Sequence, residues 1–295
     1  MDDSYRAAIG GESGVARVLA PNPSAMTGDG TNTYILGAKD VAIIDPGPAD
    51  PDHVNAVLAC VGDRRVHSIL VTHSHRDHSA GAPVLADMTG APVLAFGTST
   101  AGRSETMAQL APLVGGGEGV DAAFRPDATL ADGDQVAGEG WTLRAHHTPG
   151  HMGNHMSFHW LEGDAVFTGD TVMGWSTTLI SPPDGDVGQF FASLDALEAL
   201  GAGRFLPGHG DAVPDPQTRC RALRAHRLAR EAAILDLLDR PRAVNFLVDT
   251  LYADVPRRLH PAAARNVFAH LIHLAQTGRA TGIPSLRPDA LFTRR

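Results

Sequence analysis

The chain predicts an α/β fold, with two β-sheets packed face to face, helices outside, and a small helical unit at the C-terminal end. Three observations predict it. Short, β-branched apolar runs alternate with segments of helical period over residues 15–212. Side chains able to bind a metal recur where those runs end. After Pro214 the composition changes to three helical segments and a hairpin.

The elements follow in order. Val15–Leu19 predicts an edge strand, with turns at Pro21-Asn22-Pro23 and Gly28-Asp29-Gly30 behind it. Thr31–Leu36 is the next strand. Val41–Asp45 is apolar up to its last residue, as expected of a central strand buried on both faces. It runs into Asp45-Pro46-Gly47-Pro48. Residues 52–61 have helical period. Ile69-Leu70-Val71 is a buried strand ending at Thr72. Residues 81–89 predict a helix and Pro92–Phe96 a strand. Residues 98–125, rich in Gly, Ser and Ala, predict a mobile loop near the site. Leu130–Val136 and Trp141–His146 read as antiparallel strands joined by Gly-containing turns. Met156–Trp160 and Ala165–Thr168 are further strands, and 171–185 is a polar loop. Asp186 caps a helix through Leu200, with an apolar stripe of Val187, Phe190, Phe191, Leu194, Leu197 and Leu200. Arg204-Phe205-Leu206 is a last short strand. Helices at 215–239, 243–252 and 259–277 are broken by Pro241 and Pro256 and stopped by Gly278. A hairpin at 279–293 completes the order of a winged-helix module; a packing or dimerisation appendage is the alternative. The expected domains are 1–214 and 215–295.

Composition narrows the function. The formal net charge is -9 and aromatics are 5%, which argues against a generic polyanion binder and against stacking platforms for single strands. Cys60 and Cys220 lack metal-ligand spacing and are expected to be reduced, buried side chains. Met1-Asp2-Asp3-Ser4 is acidic with no apolar stretch after it, so a cytoplasmic location is expected rather than export. No run approaches the length of a membrane span, so no membrane partner is expected.

The chemistry lies in Thr72-His73-Ser74-His75-Arg76-Asp77-His78. Three imidazoles and a carboxylate are crowded onto a loop at the C-terminal end of a strand, where α/β sheets place their sites. Such groups suit zinc or a similar divalent ion. His73 and His75, two residues apart in extended chain, can grip one ion from one side. Asp77 and His78 are then free to face another. His151, Asp170 and His209 each follow a strand and sit beside Gly, bringing the set to seven, enough for two ions with three terminal ligands each and one shared carboxylate. Asp45 either caps a turn or orients a metal-binding His. His155 is either a hydrogen-bond partner or proton donor near the ligands, or a packing residue. His146, His147 and His159 are expected to be structural. Asn22, Asn32, Met173, Trp175 and Ser176 are candidates to line a substrate pocket.

These motifs, H-x-H-x-D-H, a later G-H, a G-D and a final G-H, resemble those of the metallo-β-lactamase superfamily over residues 15–212. The resemblance implies an αββα sandwich. It implies that His73, His75 and His151 hold a first ion, that Asp77, His78 and His209 hold a second, and that Asp170 bridges them. The tail, with His226-Arg227, Tyr252, His270-Leu271, Leu274 and Gly278, resembles the β-lactamase-like protein 2 subfamily and its winged-helix-like domain. Ser79-Ala80-Gly81 departs from the Gly-Gly of many relatives, which leaves substrate preference open. The function implied is a hydrolase with two divalent ions, zinc first and manganese or iron as alternatives, that share and ionise a water for attack on an ester, thioester or lactone. Asp77 and Asp170 are the candidate catalytic carboxylates that orient it. A single-strand endoribonuclease, with RNA as partner, is one alternative; an iron-dependent sulfur dioxygenase-like enzyme is another. A homodimer is compatible with the helical tail.

Overall fold

The structure, a computed structural model, describes residues 14–117 and 119–295 and the backbone of Ala7–Ala8. The acidic start Met1–Ser4, read above for a targeting signal, lies outside the described residues. The first sheet runs β1 (Ala7–Ala8), β2 (Val15–Leu19), β3 (Asn32–Leu36), β4 (Asp40–Ile44), β5 (Arg65–Leu70), β6 (Val93–Ala95), β7 (Ala128–Thr129), in that order. The pairs up to β4 are antiparallel and those from β4 to β7 are parallel. The second sheet has the order β12-β11-β10-β9-β8, from β8 (Gln135–Gly138), β9 (Trp141–His147), β10 (Met156–Trp160), β11 (Ala165–Gly169) and β12 (Arg204–Pro207). Only its β11–β12 pair is parallel.

Strand periodicity builds the layers. Neighbours along a strand point to opposite faces. Leu36, Ile44 and Leu70 therefore face inward and meet Leu143, Phe158, Phe167 and Leu206 between the sheets. Their neighbours Ile35, Ile43 and Ile69 face outward, under α1 (Pro51–Val61) and α3 (Ala82–Thr89) through Val57 and Leu85. On the far side, Val166 and Phe205 are covered by Phe190 and Leu194 of α5 (Val187–Ala199). The result is helix, sheet, sheet, helix, as the apolar runs required.

Four expectations are corrected. Val15–Leu19 is not the edge, because Ala7–Ala8 pairs outside it. The segment 98–125 is not a loop throughout: α4 (Glu105–Val114) forms there, capped by Ser104. Its Met107 and Leu110 bury against the C-terminal helices, so tertiary burial offsets Pro112 and the Gly-rich flank. The strand expected at Leu130–Val136 starts only at Gln135. Residues 131–134 turn instead, the Asp134 carboxylate accepting the Ala131 N–H at 2.8 Å. The motif residues Asp77 and His78 also lie on a helical turn, α2 (Arg76–Ser79), rather than on open loop.

Beyond Pro214 come α6 (Pro216–Leu237), β13 (Arg242–Ala243), α7 (Val244–Leu251), α8 (His260–Gln276) and the hairpin β14 (Ala280–Ile283) and β15 (Leu291–Arg294). Gly278 takes φ +71° to end α8. Among the described residues no helix is long and apolar enough to cross a membrane. Cys60 and Cys220 are buried free thiols.

The C-terminal core encloses a charge. Glu231 is fully buried and accepts from His270 Nδ1 (3.4 Å), His273 Nδ1 (2.6 Å) and Arg279 Nη1 (3.0 Å). Burial opposes its charge, yet His270 and His273 hold the carboxyl at about 2, below its ordinary 4.5. Burial, resisted by Glu231, presses His270 to about 4 from its ordinary 6.5. Both groups bind fewer protons folded than unfolded. Their stabilisation is therefore complete above about pH 6.5 and is lost as pH falls, first through His270 down to about 4 and then through Glu231 down to about 2. Either shift taken singly corresponds to roughly 3 kcal/mol, and since Glu231 and His270 bond each other the two do not add. Urea midpoints measured between neutral and acid pH should fall accordingly, and Glu231→Gln should flatten the most acidic limb. A pH-independent midpoint would contradict this.

Candidate metal centre

One edge of the sandwich collects the polar residues. The C-terminal ends of β4, β5, β9, β11 and β12 point to it, as do the starts of the antiparallel β3 and β10. Main-chain bonds tie the two sheets there: Asn32 N–H donates to Gly208 O (2.7 Å) and Met156 N–H to Thr72 O (2.7 Å). Asp45, His73, His151, Asp170 and His209 thus leave successive strand ends toward one place.

Three imidazole nitrogens meet first. His75 Nδ1 lies 3.0 Å from His73 Nε2 and 2.9 Å from His151 Nε2. A second triangle joins His78 Nε2, His209 Nε2 and Asp77 Oδ2, with sides of 3.3, 3.4 and 3.4 Å. Asp170 stands between them. Its Oδ1 is 3.5 Å from His78 Nε2; its Oδ2 is 3.3 Å from His209 Nε2 and 3.7 Å from His151 Nε2.

The donor set fits divalent cations. Backbone and carboxylate acceptors take the Nδ1 side of three rings: Leu179 O at 2.7 Å for His151, Gly30 O at 3.0 Å for His209, and Asp45 Oδ2 at 2.9 Å for His78. A carbonyl or carboxylate oxygen only accepts, so each Nδ1 carries a proton and each Nε2 is the atom turned into the cluster, where a cation can take the place of any proton bound there. Asp170 Oδ1 is buried with no hydrogen-bond partner, a costly arrangement for a carboxylate unless a cation faces it. Zinc–ligand bonds of about 2.0–2.1 Å place tetrahedral ligand atoms about 3.3–3.4 Å apart, the spacing of the second triangle.

The electrostatics agree. Burial opposes charge on His209, but Asp170 and Asp77 outweigh it and raise the ring to about 10. Burial opposes charge on His78 as well, and Asp77, Asp170 and Asp45 hold it well above its usual range. Burial would raise Asp77 and Asp170; the facing His78 and His209 instead hold both well below the carboxylate range. Burial, then the neighbouring imidazoles, push His73 far down and His75 to about 3. One triangle is thus an anion-backed trap for positive charge; the other is a nest of neutral lone pairs.

The surrounding residues sort by contact. Asp45, at φ +52°, accepts the Thr72 N–H (2.7 Å) and Oγ1–H (2.8 Å) as well as His78, so it orients a ring rather than merely closing a turn. His155 is fully buried; its Nε2 accepts the Asp170 N–H at 3.1 Å and its ring stacks on His73. It props Asp170 from behind. Asn32 does not line a pocket: it is buried, and its amide donates to Pro207 O (2.9 Å) and Gly210 O (2.8 Å), clamping the turn that bears His209. Asn22 donates to Thr31 Oγ1, whose hydroxyl donates to Asp77 Oδ2 at 3.0 Å. Met173 is buried, while Trp175 is 48% exposed and lies over Gly28 and Gly210 at the rim. His147 stacks on Phe96 and bonds Gly153 O, a structural role. Thr31, Thr178 and Leu179 escaped sequence reasoning, because ordinary loop residues carry no motif. Gly208 needs its missing side chain: a Cβ there would stand 2.6 Å from both Asp170 Oδ1 and His78 Cε1.

Comparison with known proteins agrees with this geometry. Residues 26–209 match the model of the metallo-beta-lactamase superfamily, and 244–285 match that of the beta-lactamase associated winged helix domain. The chain is 33% identical over 283 residues to a beta-lactamase-like protein 2 homolog of Drosophila melanogaster, covering 90% of this chain and 89% of that one. It is 32% identical over 235 residues to an atrochrysone carboxyl ACP thioesterase of Aspergillus chevalieri, covering 78% and 68%. A metallo-beta-lactamase family protein from Thermus thermophilus superposes with TM-score 0.75 at 27% identity, over 96% of this chain and 99% of that one. With its sandwich, its clustered His and Asp side chains and its winged-helix tail, the chain belongs to the metallo-beta-lactamase superfamily.

Proposed function

We propose that this chain is a dinuclear metal-dependent hydrolase acting on a small ester, thioester or lactone, with residues 1–214 as the catalytic domain and 215–295 as a winged-helix-like domain. His73, His75 and His151 would hold one ion, Asp77, His78 and His209 the other, and Asp170 would bridge them. The observation that carries this reading is Asp170: a buried carboxylate with an unpartnered oxygen, within 3.3–3.7 Å of imidazoles from both triangles. When bound, zinc or a similar divalent ion supplies a water of lowered pKa and Lewis-acid stabilisation of a developing oxyanion. The chain supplies the orientation. Thr31 fixes the Asp77 carboxylate, and His155 holds the main chain of Asp170, so both residues are in place before substrate arrives. Either can accept a hydrogen bond from an attacking water and take its proton. Trp175 offers an exposed apolar wall beside the His209 turn, suited to the acyl portion of a substrate.

The thioesterase among the relatives supports an acyl substrate. Metal analysis and a screen of esters, thioesters, lactones, β-lactams and single-stranded RNA should be run on one preparation. About two divalent ions per chain and chelator-sensitive cleavage of an acyl substrate are expected. RNA cleavage, or sulfur oxidation with iron bound, would replace this reading.

A further inference from the structure

Loop 171–185 is held by the C-terminal helices through three arginines. Arg219 of α6 donates to the carbonyls of Met173 (2.7 Å) and Ser176. Arg227 of α6 donates to Thr178 O. Arg265 of α8 donates to Ser181 Oγ and to Pro182 O. The middle of this loop bears on the metal centre directly, since Thr178 Oγ1 and Leu179 O lie 2.8 and 2.7 Å from His151 Nδ1.

Arg227 is the least expected of the three. It is 1% exposed, and among the described residues no carboxylate lies within ion-pair distance of it. A buried guanidinium without a counter-ion is costly unless its donors are satisfied. Here the two terminal nitrogens are: Nη2 donates to Thr178 O, Nη1 donates to Asn266 Oδ1 (2.7 Å), and the Phe190 ring lies 5.3 Å from the guanidinium carbon, while Nε is buried without a partner. The bond to Thr178 O pins the peptide unit that joins the two residues facing His151, Thr178 through its hydroxyl and Leu179 through its carbonyl. Resting on the ligand assignment proposed above, we infer that Arg227 is a positioning residue for the ion held by His73, His75 and His151. Arg219 and Arg265 hold the flanks of the same loop. The C-terminal helices thereby form part of the metal centre's support, and these guanidinium groups are turned inward to loop carbonyls rather than outward to phosphates.

The test uses the full chain and Zn²⁺ titrated against a chromophoric chelator, well below the melting temperature. Wild type should take up two ions; if it takes up none, the ligand assignment fails and not merely this inference. Arg227→Lys keeps the charge but loses the fork. It should weaken one of the two sites by about tenfold or more and leave the other unchanged, the usual cost of losing a group that orients a ligand. Amide hydrogen exchange within 173–182 should quicken in parallel. A merely structural arginine would lower the melting temperature without separating the two affinities. If Arg227→Lys does not fold, the Arg219→Met/Arg265→Met double variant, whose side chains are partly exposed, should show the same selective weakening. Two sites of unchanged affinity with unchanged exchange, in whichever variant folds, would overturn the inference.

Discussion

Replacing His73 and His75 together by alanine is expected to empty the first triangle and abolish turnover while leaving the sandwich folded. Both rings contribute to one cluster: His75 Nδ1 sits within 3.0 Å of the nitrogens of both His73 and His151. His151 alone cannot hold an ion against water. Loss of a hydrogen-bond partner behind a metal ligand already costs about 10–100-fold, so loss of two ligands should exceed about a hundredfold in kcat/KM. The strand cores lie in separate layers of Leu, Ile and Phe, so circular dichroism should stay near that of wild type. Removing two buried imidazoles even relieves the mutual crowding that, after burial, keeps them unprotonated. Atomic emission showing undiminished metal content in the folded variant would sink the assignment.

Asp45→Asn should act at one remove and on the other ion. Asparagine tolerates the φ of +52° better than most residues, so the backbone should be unaffected. Its amide oxygen can still accept the Thr72 N–H. Its NH₂ group, however, then faces His78 Nδ1 where a carboxylate oxygen stood 2.9 Å away. Two donors cannot share that gap, so the imidazole must move its proton to Nε2, the atom turned toward Asp77 and His209. The expected result is a loss of about 10–100-fold in affinity for the ion at Asp77, His78 and His209, with the first ion retained. Chelator competition distinguishes the two sites, and equal affinities in wild type and variant would remove Asp45 from this role.

Much of this architecture is legible in the linear chain because the signals are local. Ile43-Ile44 and Ile69-Leu70 are apolar at adjacent positions, which only a strand covered on both faces accommodates. The apolar stripe from Val187 to Leu197 has the period of a helix with one buried face, and α5 lies there. What escaped was decided by distant partners. Nothing in Gly-rich 98–125 announces α4, since Met107 and Leu110 find their cover on helices more than a hundred residues later. Asn32 looked like a pocket residue from its loop-edge position, yet its amide is spent on the turn at Pro207–Gly210. Thr178 and Leu179 carry no sequence signal at all; they matter because the fold delivers a hydroxyl and a carbonyl to His151 Nδ1.

By itself, the order of residues determined which segments are strands and which polar side chains leave their ends, because period and capping are read within a few positions. The tertiary structure alone decided which nitrogens face one another, how far each Asp170 oxygen stands from the two triangles, and which arginines of the tail hold the loop behind His151. Those are matters of a few tenths of an ångström between groups brought together from separate strands and helices, and only packing sets such distances.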